Sequence, residues 1–583
     1  PISSKMKYNL VTSTQTYLWS KNNINFLVGD WCLTNEIKKK NYQFKFQKYH
    51  GENRKKLVKK INFLFKIYLY LLKKITKSLN KYHKVSFSEK YWETLLSRWL
   101  WHFLMYTFDR WEILRSLKNK ENIFFTKKVI YDDKSFINNN TLSFIRSAHD
   151  PIWNSWIFSQ MINFFPKIKV LKNRKKTKTI RKKNERKKKF DGKKFIFENN
   201  DKIFIKDLYF DKFLKIKIKI GLKNFNFLNY STPNYYIPGF KIGNKRLNFK
   251  FLNRKENNNY LNFLNQIIKY QIPKVFLEGF KPTNSLLDKL NWPKNPKVVL
   301  TSISHLNDDF FKFYIANKRQ KGSKLFVFQH GCGYIYDDLN LGHIFESRIS
   351  DKFFTWGCRS KQKNIHPLFV TTTAGKVIKK SKKRKGFIIP LYDFARFPNR
   401  LTSFLRTGSD VKNYISNFEN FLSNLRKEKI KQLKIKFRLD EKNSIVSEEL
   451  KKNILKRYKQ IKVYDNKKHY IYEESIDYNL IIETCNSTNF LECISLNIPI
   501  VLLWNKNIII SKKYKKFYKE LEKARIIHKS PKSLAEFINK NENFEKWWYS
   551  DKLQKSLNTF REKICKNEKY PINHLKQIIN NAR

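Results

Sequence analysis

Acidic residues are scarce in this chain. Its 583 residues include 48 Asp and Glu against 121 Lys and Arg, which gives a formal net charge of +73. A surface this positive attracts anionic partners, either nucleic acid or an anionic membrane. Gly and Pro are also scarce, at 15 each, while Phe, Ile, Asn, Tyr and Lys are abundant together, as an AT-rich genome would produce. The lysine excess therefore has two explanations, a biased composition and an anionic partner.

Cysteine and the short catalytic signatures are also scarce. The six cysteines are dispersed and form no C-x-x-C pair, so neither a zinc site nor a disulfide framework is predicted. The chain has no G-x-x-x-x-G-K-[ST], G-x-G-x-x-G or H-E-x-x-H motif, which argues against P-loop NTPases, simple NAD enzymes and zincins. It has no D-x-D motif either, so we expect no cofactor and no obligatory metal bridging a substrate.

Long apolar runs are missing as well. No run reaches the roughly 18–20 residues that span a bilayer, and the nearest candidates are 61–75 and 91–108. Charged residues interrupt both, so they are predicted to be buried or interfacial helices. No signal-peptide pattern is visible at the start of the chain. We therefore expect a cytoplasmic protein, with peripheral contact at the inner face of the membrane as an option.

The first part of the chain is predicted to begin with a short strand within 24–33, followed by a turn at Gly29 and Asp30, and then to be largely helical. Apolar residues recur at helical spacing over 53–80 and 88–116, within a helical region of about 53–165. Residues 172–194 hold 14 Lys and Arg in 23 positions. Such a block repels itself and predicts a solvated insertion, which either is simply tolerated or contacts anionic lipid or nucleic acid.

From about residue 297 strands and helices alternate, which indicates parallel sheets. We predict strands at 297–304, 324–328, 351–357, 387–394, 433–439, 461–465, 478–484 and 498–504, with helices at 308–322, 409–426, 447–459 and 487–497. The predicted fold class is α/β, with two Rossmann-like domains facing a cleft and an N-terminal helical elaboration. The expected domains are 1–375, which binds the acceptor, and 385–583, which binds the nucleotide.

Ligands of open parallel sheets bind beyond the carboxyl ends of the strands. In the second domain one such end is "TCNSTNFLEC" at 484–493. Asn486, Ser487 and Thr488 begin a helix whose free N–H groups suit a phosphate. Glu492 lies one helical turn later and could accept hydrogen bonds from ribose hydroxyls. Arg438 ends a strand, where it could bind a phosphate with two hydrogen bonds. The alternative is an ordinary N-cap at Ser487 and a solvated Glu492.

In the first domain the strand "KLFVF" ends directly in "QHGCGY". His330 could act as a general base or as a hydrogen-bond donor, or it could be a plain turn histidine. Gly331 and Gly333 would let backbone N–H groups approach a ligand closely. Further candidate bases are Glu346 and Asp351, and further residues of the acceptor side or cleft are Gln329, Gly29 and Asp30.

Several segments together resemble a transferase family encoded in bacterial O-antigen and surface-polysaccharide loci. The similar segments are "FLVGDWC" (26–32), "YWETLLSRWLWHFLMYTFDRW" (91–111), "DPIWNSWIF" (150–158), "TSISHLNDDFFKFYIANKRQKGSKLFVFQHGCGYI" (301–335), "ESRISDKFFTWG" (346–357), "TCNSTNFLECISLNIPIVLLWN" (484–505) and "EKWWYSDKLQ" (545–554). They cover nearly the whole chain apart from the basic insertion. Cys332 departs from the family pattern, which has glycine there.

The resemblance implies a GT-B-like glycosyltransferase of lipopolysaccharide or related glycan assembly. Its substrates would be a nucleotide sugar and a glycan or lipid-linked acceptor, with donor contacts at Arg438, Ser487, Thr488 and Glu492. The helix at 487–497 also looks like those of CDP-glycerol transferases and sugar-nucleotide epimerases, so these activities remain alternatives. The third hypothesis, suggested by the charge and the aromatic content, is a nucleic-acid-binding protein. It is the least favoured of the three, and no nucleic-acid partner is expected.

Overall fold

The structure is a computed structural model of the chain. It describes residues 7–34, 37, 40–119, 123–176, 202–221, 239–290, 292–378, 384–392, 397, 401, 408–437, 455–464, 470–505 and 508–580. Within them the strands form three sheets, and every strand pair is parallel. The units built on these sheets are called N-terminal, middle and C-terminal below.

The N-terminal unit contains a sheet with strand order β3-β2-β1-β4-β5. Its strands are β1 (Lys7–Val11), β2 (Asn25–Leu27), β3 (Phe44–Phe46), β4 (Ile123–Ile130) and β5 (Ile168–Lys176), and its helices are α1 (Arg54–His83), α2 (Glu89–Arg115), α3 (Thr141–Ser147) and α4 (Pro151–Ile162). The helical elaboration predicted for this region is present. The five-stranded sheet was not predicted, apart from a single strand near residues 24–33.

Helices α1 and α2 begin at residues that cap them. The side chains of Asn53 and Ser88 accept hydrogen bonds from the backbone N–H groups of the first turns. The apolar side of α1, which includes Leu64 and Leu71, is buried. The segment 61–75 therefore presents most of its apolar residues to the protein core, with Phe63 exposed, and this burial favours a buried helix over an interfacial one. Helix α2 is buried along almost its whole length.

The middle unit is built on a sheet with strand order β10-β9-β8-β7-β6. Its strands are β6 (Ile203–Lys206), β7 (Val298–Thr301), β8 (Lys324–Phe328), β9 (Lys352–Thr355) and β10 (Ile365–Pro367), and its helices are α5 (Lys212–Gly221), α6 (Asn259–Gln271), α7 (Phe280–Leu287), α8 (Ser304–Asn307), α9 (Asp309–Gln320) and α10 (Gly342–Ile349). Strand β8 has the predicted bounds. One core joins this unit to the N-terminal unit, because side chains of both belong to the same buried cluster.

The C-terminal unit has a sheet with strand order β13-β12-β11-β14-β15-β16. Its strands are β11 (Phe387–Leu391), β12 (Leu433–Phe437), β13 (Lys462–Tyr464), β14 (Leu480–Glu483), β15 (Ile500–Leu503) and β16 (Ile527–His528). The strand order reverses between β11 and β14. Such a reversal opens a crevice at the carboxyl ends of the two strands, where ligands of α/β sheets bind.

The helices of the C-terminal unit cover both faces of its sheet. They are α11 (Gly408–Ser423), α12 (Lys427–Lys431), α13 (Leu455–Arg457), α14 (Ile471–Glu474), α15 (Thr488–Ser495), α16 (Lys515–Lys523), α17 (Pro531–Lys540), α18 (Phe544–Trp548), α19 (Asp551–Ile564) and α20 (Pro571–Asn580). The last helix returns to the middle unit, where Leu575 and Ile579 join its core. The predicted α/β class, with two parallel-sheet units, is confirmed.

Two predicted segments lie partly outside the described residues. The basic insertion 172–194 is described only to residue 176, and the predicted helix at 447–459 only from residue 455. Among the helices that the structure describes, none is long and apolar enough to cross a membrane.

Candidate functional site

A cavity of about 530 Å³ lies where the three units meet. The middle unit contributes the turn after β8 and residues of α8 and α10, including His330 and Glu346. The C-terminal unit contributes Asn486 and Thr488 at the start of α15. The N-terminal unit contributes one side of α2. The predicted cleft between two parallel sheets is therefore present, and a helix of the N-terminal unit forms a third wall.

The turn after β8 is held by Gln329, which is buried. Its Nε2 donates to the Gly331 carbonyl over 2.7 Å, and its Oε1 accepts from the Trp356 N–H over 2.9 Å. Gly333 has φ +89°, and a Cβ there would lie 2.7 Å from the Asn340 side chain. Gly333 is therefore required by its backbone conformation, and its N–H donates to the Tyr336 hydroxyl over 2.6 Å instead of being open to a ligand as predicted. Gln329 shapes the turn without lining the cavity.

His330 belongs to a hydrogen-bonded cluster with Tyr334 and Glu346. The Tyr334 hydroxyl donates to Glu346 Oε1 and lies 3.0 Å from His330 Nδ1, which is itself 3.8 Å from that carboxylate oxygen. His305 Nε2 lies 3.5 Å from the second oxygen of Glu346. Burial alone would raise the pKa of Glu346, but these neighbours outweigh it and the pKa lies below its ordinary value. Glu346 is therefore a buried carboxylate that stays ionised.

The start of α15 faces this cluster across the cavity. Ser487 is the N-cap, and its Oγ accepts from the Phe490 N–H over 3.1 Å. The side chain of Thr488 reaches the opposite wall, where its Oγ1 accepts from the Cys332 N–H over 3.3 Å. Asn486 lines the cavity beside it. The predicted phosphate-binding turn and the predicted base thus come together at one cavity.

Glu492 is not part of this cavity. It is 2% exposed, and its Oε1 accepts from the Thr372 hydroxyl over 2.6 Å. The structure therefore places it against the segment that links the middle and C-terminal units, rather than in solvent or beside Thr488 in the cavity. Arg438 lies outside the described residues.

Three other predicted residues also lie apart from the cavity. Asp351 precedes β9, accepts from the Leu325 N–H and pairs with Arg319. It therefore lies at the amino ends of the strands, at the opposite edge of the sheet from His330. Gly29 and Asp30 follow β2, and Asp30 pairs with Lys412 of α11 at 3.3 Å. The structure thus gives Asp30 a contact between the N-terminal and C-terminal units.

The burial of Glu492 leads to a testable pH dependence. Burial raises the pKa of Glu492 to about 7, so the folded chain holds this proton more tightly than the unfolded chain. The contribution of the protonated Glu492 to the free energy of unfolding is complete below the pKa of the unfolded chain and is lost as the pH rises towards about 7. Glu492→Gln cannot lose a proton, so its free energy of unfolding should gain on the order of 2 kcal/mol relative to the wild type between about pH 5 and about pH 8.

Thermal unfolding of the two proteins across this pH range measures the difference. Glu520→Gln, at an exposed position of α16, is the control and should follow the wild type at every pH. Parallel pH curves for the wild type and Glu492→Gln would contradict the placement of Glu492.

Sequence reasoning did not select Tyr334 and His305 as site residues. Tyr334 ends the "QHGCGY" stretch, and His305 follows β7 just as His330 follows β8. His305 is therefore detectable from the sequence in the same way as His330, as a polar residue shortly after a predicted strand. No such signal exists for the cavity-lining residues of α2, because they depend on how two units pack together.

Comparison with known proteins identifies the family. The model of the LIC12162 family transferases matches residues 8–579. The chain belongs to the LIC12162 family of transferases. This confirms the resemblance to a transferase family, and family membership makes the chain a transferase. No curated protein matches this family member.

Two solved structures share a distant likeness with this LIC12162 family transferase. MurG of Acinetobacter baumannii is 10% identical with a TM-score of 0.30, and the match covers 52% of this chain and 78% of MurG. The glycotransferase of kitacinnamycin is 7% identical with a TM-score of 0.27, and the match covers 52% of this chain and 81% of that one. Likeness at this level says nothing about the substrate.

Proposed function

We propose that this transferase moves a sugar from a nucleotide-activated donor to a hydroxyl of a lipopolysaccharide, O-antigen or related surface-glycan acceptor. The observation that supports it is the arrangement of the shared cavity. A histidine backed by a buried carboxylate lies on one wall, and the N-terminus of α15 lies on the other. These are the two groups that a transfer to a hydroxyl needs, a proton acceptor and a site for the departing phosphate.

His330 is the proposed general base. The Tyr334 hydroxyl donates its hydrogen bond to Glu346, so its oxygen accepts one from the His330 ring, whose Nδ1 lies 3.0 Å away and whose Nε2 lies 3.4 Å away. The imidazole proton is therefore proposed on the nearer Nδ1, with Nε2 as the basic nitrogen. Nε2 would take the acceptor proton while the acceptor oxygen bonds to the sugar. The ionised Glu346 would stabilise the imidazolium that forms.

Charge on the departing nucleotide would be stabilised at the start of α15. The free N–H groups of a helix N-terminus and its dipole favour a phosphate, and the Thr488 hydroxyl lies beside them in the cavity. The proposal therefore assigns this task to the protein and includes no metal or cofactor.

Nucleotide release from a panel of activated donors tests the proposal. The purified full chain would be incubated with UDP-, GDP- and CMP-sugars and with CDP-glycerol, each with and without a glycan acceptor. We expect the wild type to release nucleotide from one of the sugar nucleotides. His330→Ala should abolish this release, and Thr488→Val should raise the KM for the donor. Release from CDP-glycerol alone would favour a phosphotransferase, and release from none of them would overturn the proposal.

A peripheral membrane contact completes the proposed function, with the enzyme on the cytoplasmic face where lipid-linked acceptors lie. Its support is helix α5, whose Leu214 and Ile218 pack inward while Phe213, Ile216 and Ile220 are 80%, 46% and 49% exposed. Lysines alternate with these residues along the helix sequence "KFLKIKIKIG". An exposed apolar row flanked by lysines matches an anionic lipid surface both in charge and in polarity.

Sedimentation with lipid vesicles checks this contact. We expect Phe213→Ser to weaken binding to vesicles containing phosphatidylglycerol by at least about tenfold, because inserting one aromatic side chain contributes about 1.5–3 kcal/mol. Phe63→Ser, at a half-exposed position of α1, is the control and should bind like the wild type. Equal loss in both variants, or no vesicle binding by the wild type, would contradict this proposal.

A further inference from the structure

The third wall of the cavity has no part in the proposed transfer chemistry. It consists of one side of α2, and the residues that line the cavity there are Ser97, Arg98, Trp101, His102 and Met105. The wall contains a guanidinium, an imidazole and an indole within a helix that is otherwise packed into the core. A buried helix that turns such groups towards a cavity suggests a ligand on that side.

Polar atoms next to this wall are incompletely hydrogen-bonded among the described residues. His305 is 2% exposed; its Nδ1 makes no hydrogen bond there, and its Nε2 has only the 3.5 Å contact with Glu346 Oε2. Asn307 Oδ1 makes no hydrogen bond there either. Buried polar atoms in native proteins are almost always hydrogen-bonded, so these atoms can take hydrogen bonds from a bound molecule. All three residues line the cavity.

The charges at the cavity favour an anion at this wall. The lining carboxylates are Glu346 and Asp337. Glu346 is already held by Tyr334 and faces two histidines, and Asp337 accepts from the Leu339 N–H over 3.0 Å. Arg98 brings a permanent positive charge that matches a planar carboxylate or a phosphate.

The ring of a sugar has a place beside that charge. Trp101 and Phe345 both line the cavity, and their ring centroids lie 4.8 Å apart. Aromatic faces of this kind pack against the apolar C–H faces of a sugar, while polar groups around them bind its hydroxyls. His305 Nδ1 and Asn307 Oδ1 offer such groups, since neither makes a hydrogen bond among the described residues and each can exchange one with a hydroxyl.

We propose that the α2 wall binds an anionic sugar, with its acidic group at Arg98 and its ring against Trp101. This rests on the proposed function and narrows it, because one of the two substrates would be a sugar that carries a carboxylate or a phosphate. A carboxylate and a phosphate could each pair with the Arg98 guanidinium, and the experiment below distinguishes between them.

Titration of the full chain with three matched hexoses tests this assignment, with tryptophan fluorescence as the readout. Glucose is neutral, glucuronate carries a carboxylate at C6, and glucose 6-phosphate carries a phosphate there. We expect one anionic hexose to bind at least about tenfold more tightly than glucose, and Arg98→Gln to remove that preference. A preference for glucuronate identifies a sugar acid, and a preference for glucose 6-phosphate identifies a phosphorylated sugar.

Two further variants keep the test decisive. Arg115→Gln, at an exposed position of the same helix, should retain the preference. If Arg98→Gln does not fold, Arg98→Lys, which keeps the charge but loses the planar fork, should weaken the preference, and His305→Asn should weaken all three hexoses alike. Equal binding of all three hexoses by the wild type, an undiminished preference in Arg98→Gln, or an undiminished preference in Arg98→Lys would overturn the proposal. Nucleotide release with a neutral donor sugar and a neutral acceptor would also overturn the anionic-sugar site. It would still be consistent with the proposed sugar transfer.

Discussion

Replacing His330 by alanine should lower acceptor-dependent nucleotide release by about 10²–10⁴-fold, the range that a general base contributes. The reason is geometric, since His330 is the cavity-lining imidazole backed by the ionised Glu346 through Tyr334. Steady-state kcat/KM with the donor found in the screen measures the loss. The KM for the donor should change little, because His330 lies on the wall opposite α15.

The matched control for this prediction is His574→Ala. His574 of α20 is 44% exposed and pairs with Glu568, away from the cavity, so its removal should leave kcat unchanged. Glu346→Gln should reduce kcat as well, since the imidazolium would lose its counter-charge. Near wild-type turnover in His330→Ala would remove it as the base and shift attention to His305.

The second large effect is on stability. Asp309→Ala should destabilise the junction of the N-terminal and middle units by about 3–5 kcal/mol, because a buried ion pair would lose one partner. Asp309 accepts from the Thr141 N–H and hydroxyl over 2.8 and 2.6 Å and from Lys312 Nζ over 2.8 Å. The Asp309 and Lys312 side chains are 1% and 0% exposed. Without the carboxylate, the ammonium of Lys312 would stay buried and uncompensated.

Thermal unfolding followed by tryptophan fluorescence measures this effect, with the first transition as the readout because a chain of several units need not unfold in one step. Glu520→Ala is the control, since it breaks an exposed pair with Lys523 that is worth about 1 kcal/mol or less. A first transition in Asp309→Ala that matches this control would show that the pair does not hold the two units together.

Local signals in the sequence were enough to place the elements around the site. An unbroken apolar run predicted β8 with its bounds, because a strand covered on both faces needs no polar positions. The helices predicted to begin near 308 and 487 have Asp308 and Ser487 as N-caps, and both side chains accept hydrogen bonds from the first turns. The strand-end argument then brought His330 and Thr488 to one cavity.

The failures have physical causes too. The N-terminal sheet was not predicted beyond β2, because a strand such as β3 is only three residues long, and the exposed β3 carries no buried alternation. Asp351 is only 21 positions after His330, but α10 runs back across the sheet before it. Helical spacing placed Glu492 near Thr488, although it could not show that a neighbouring segment covers that side of the helix.

Cys332 provides a site for chemical labelling at the cavity. The other five cysteines are buried, whereas Cys332 is partly exposed beside Thr488 and Asn486. A maleimide dye or spin label should therefore attach to the native protein at this single thiol, with no cysteine removed. Burial raises the pKa of Cys332 to about 11, so the labelling rate should rise with pH. A molecule bound against α15 should shield the thiol, which would report occupancy before any substrate is known.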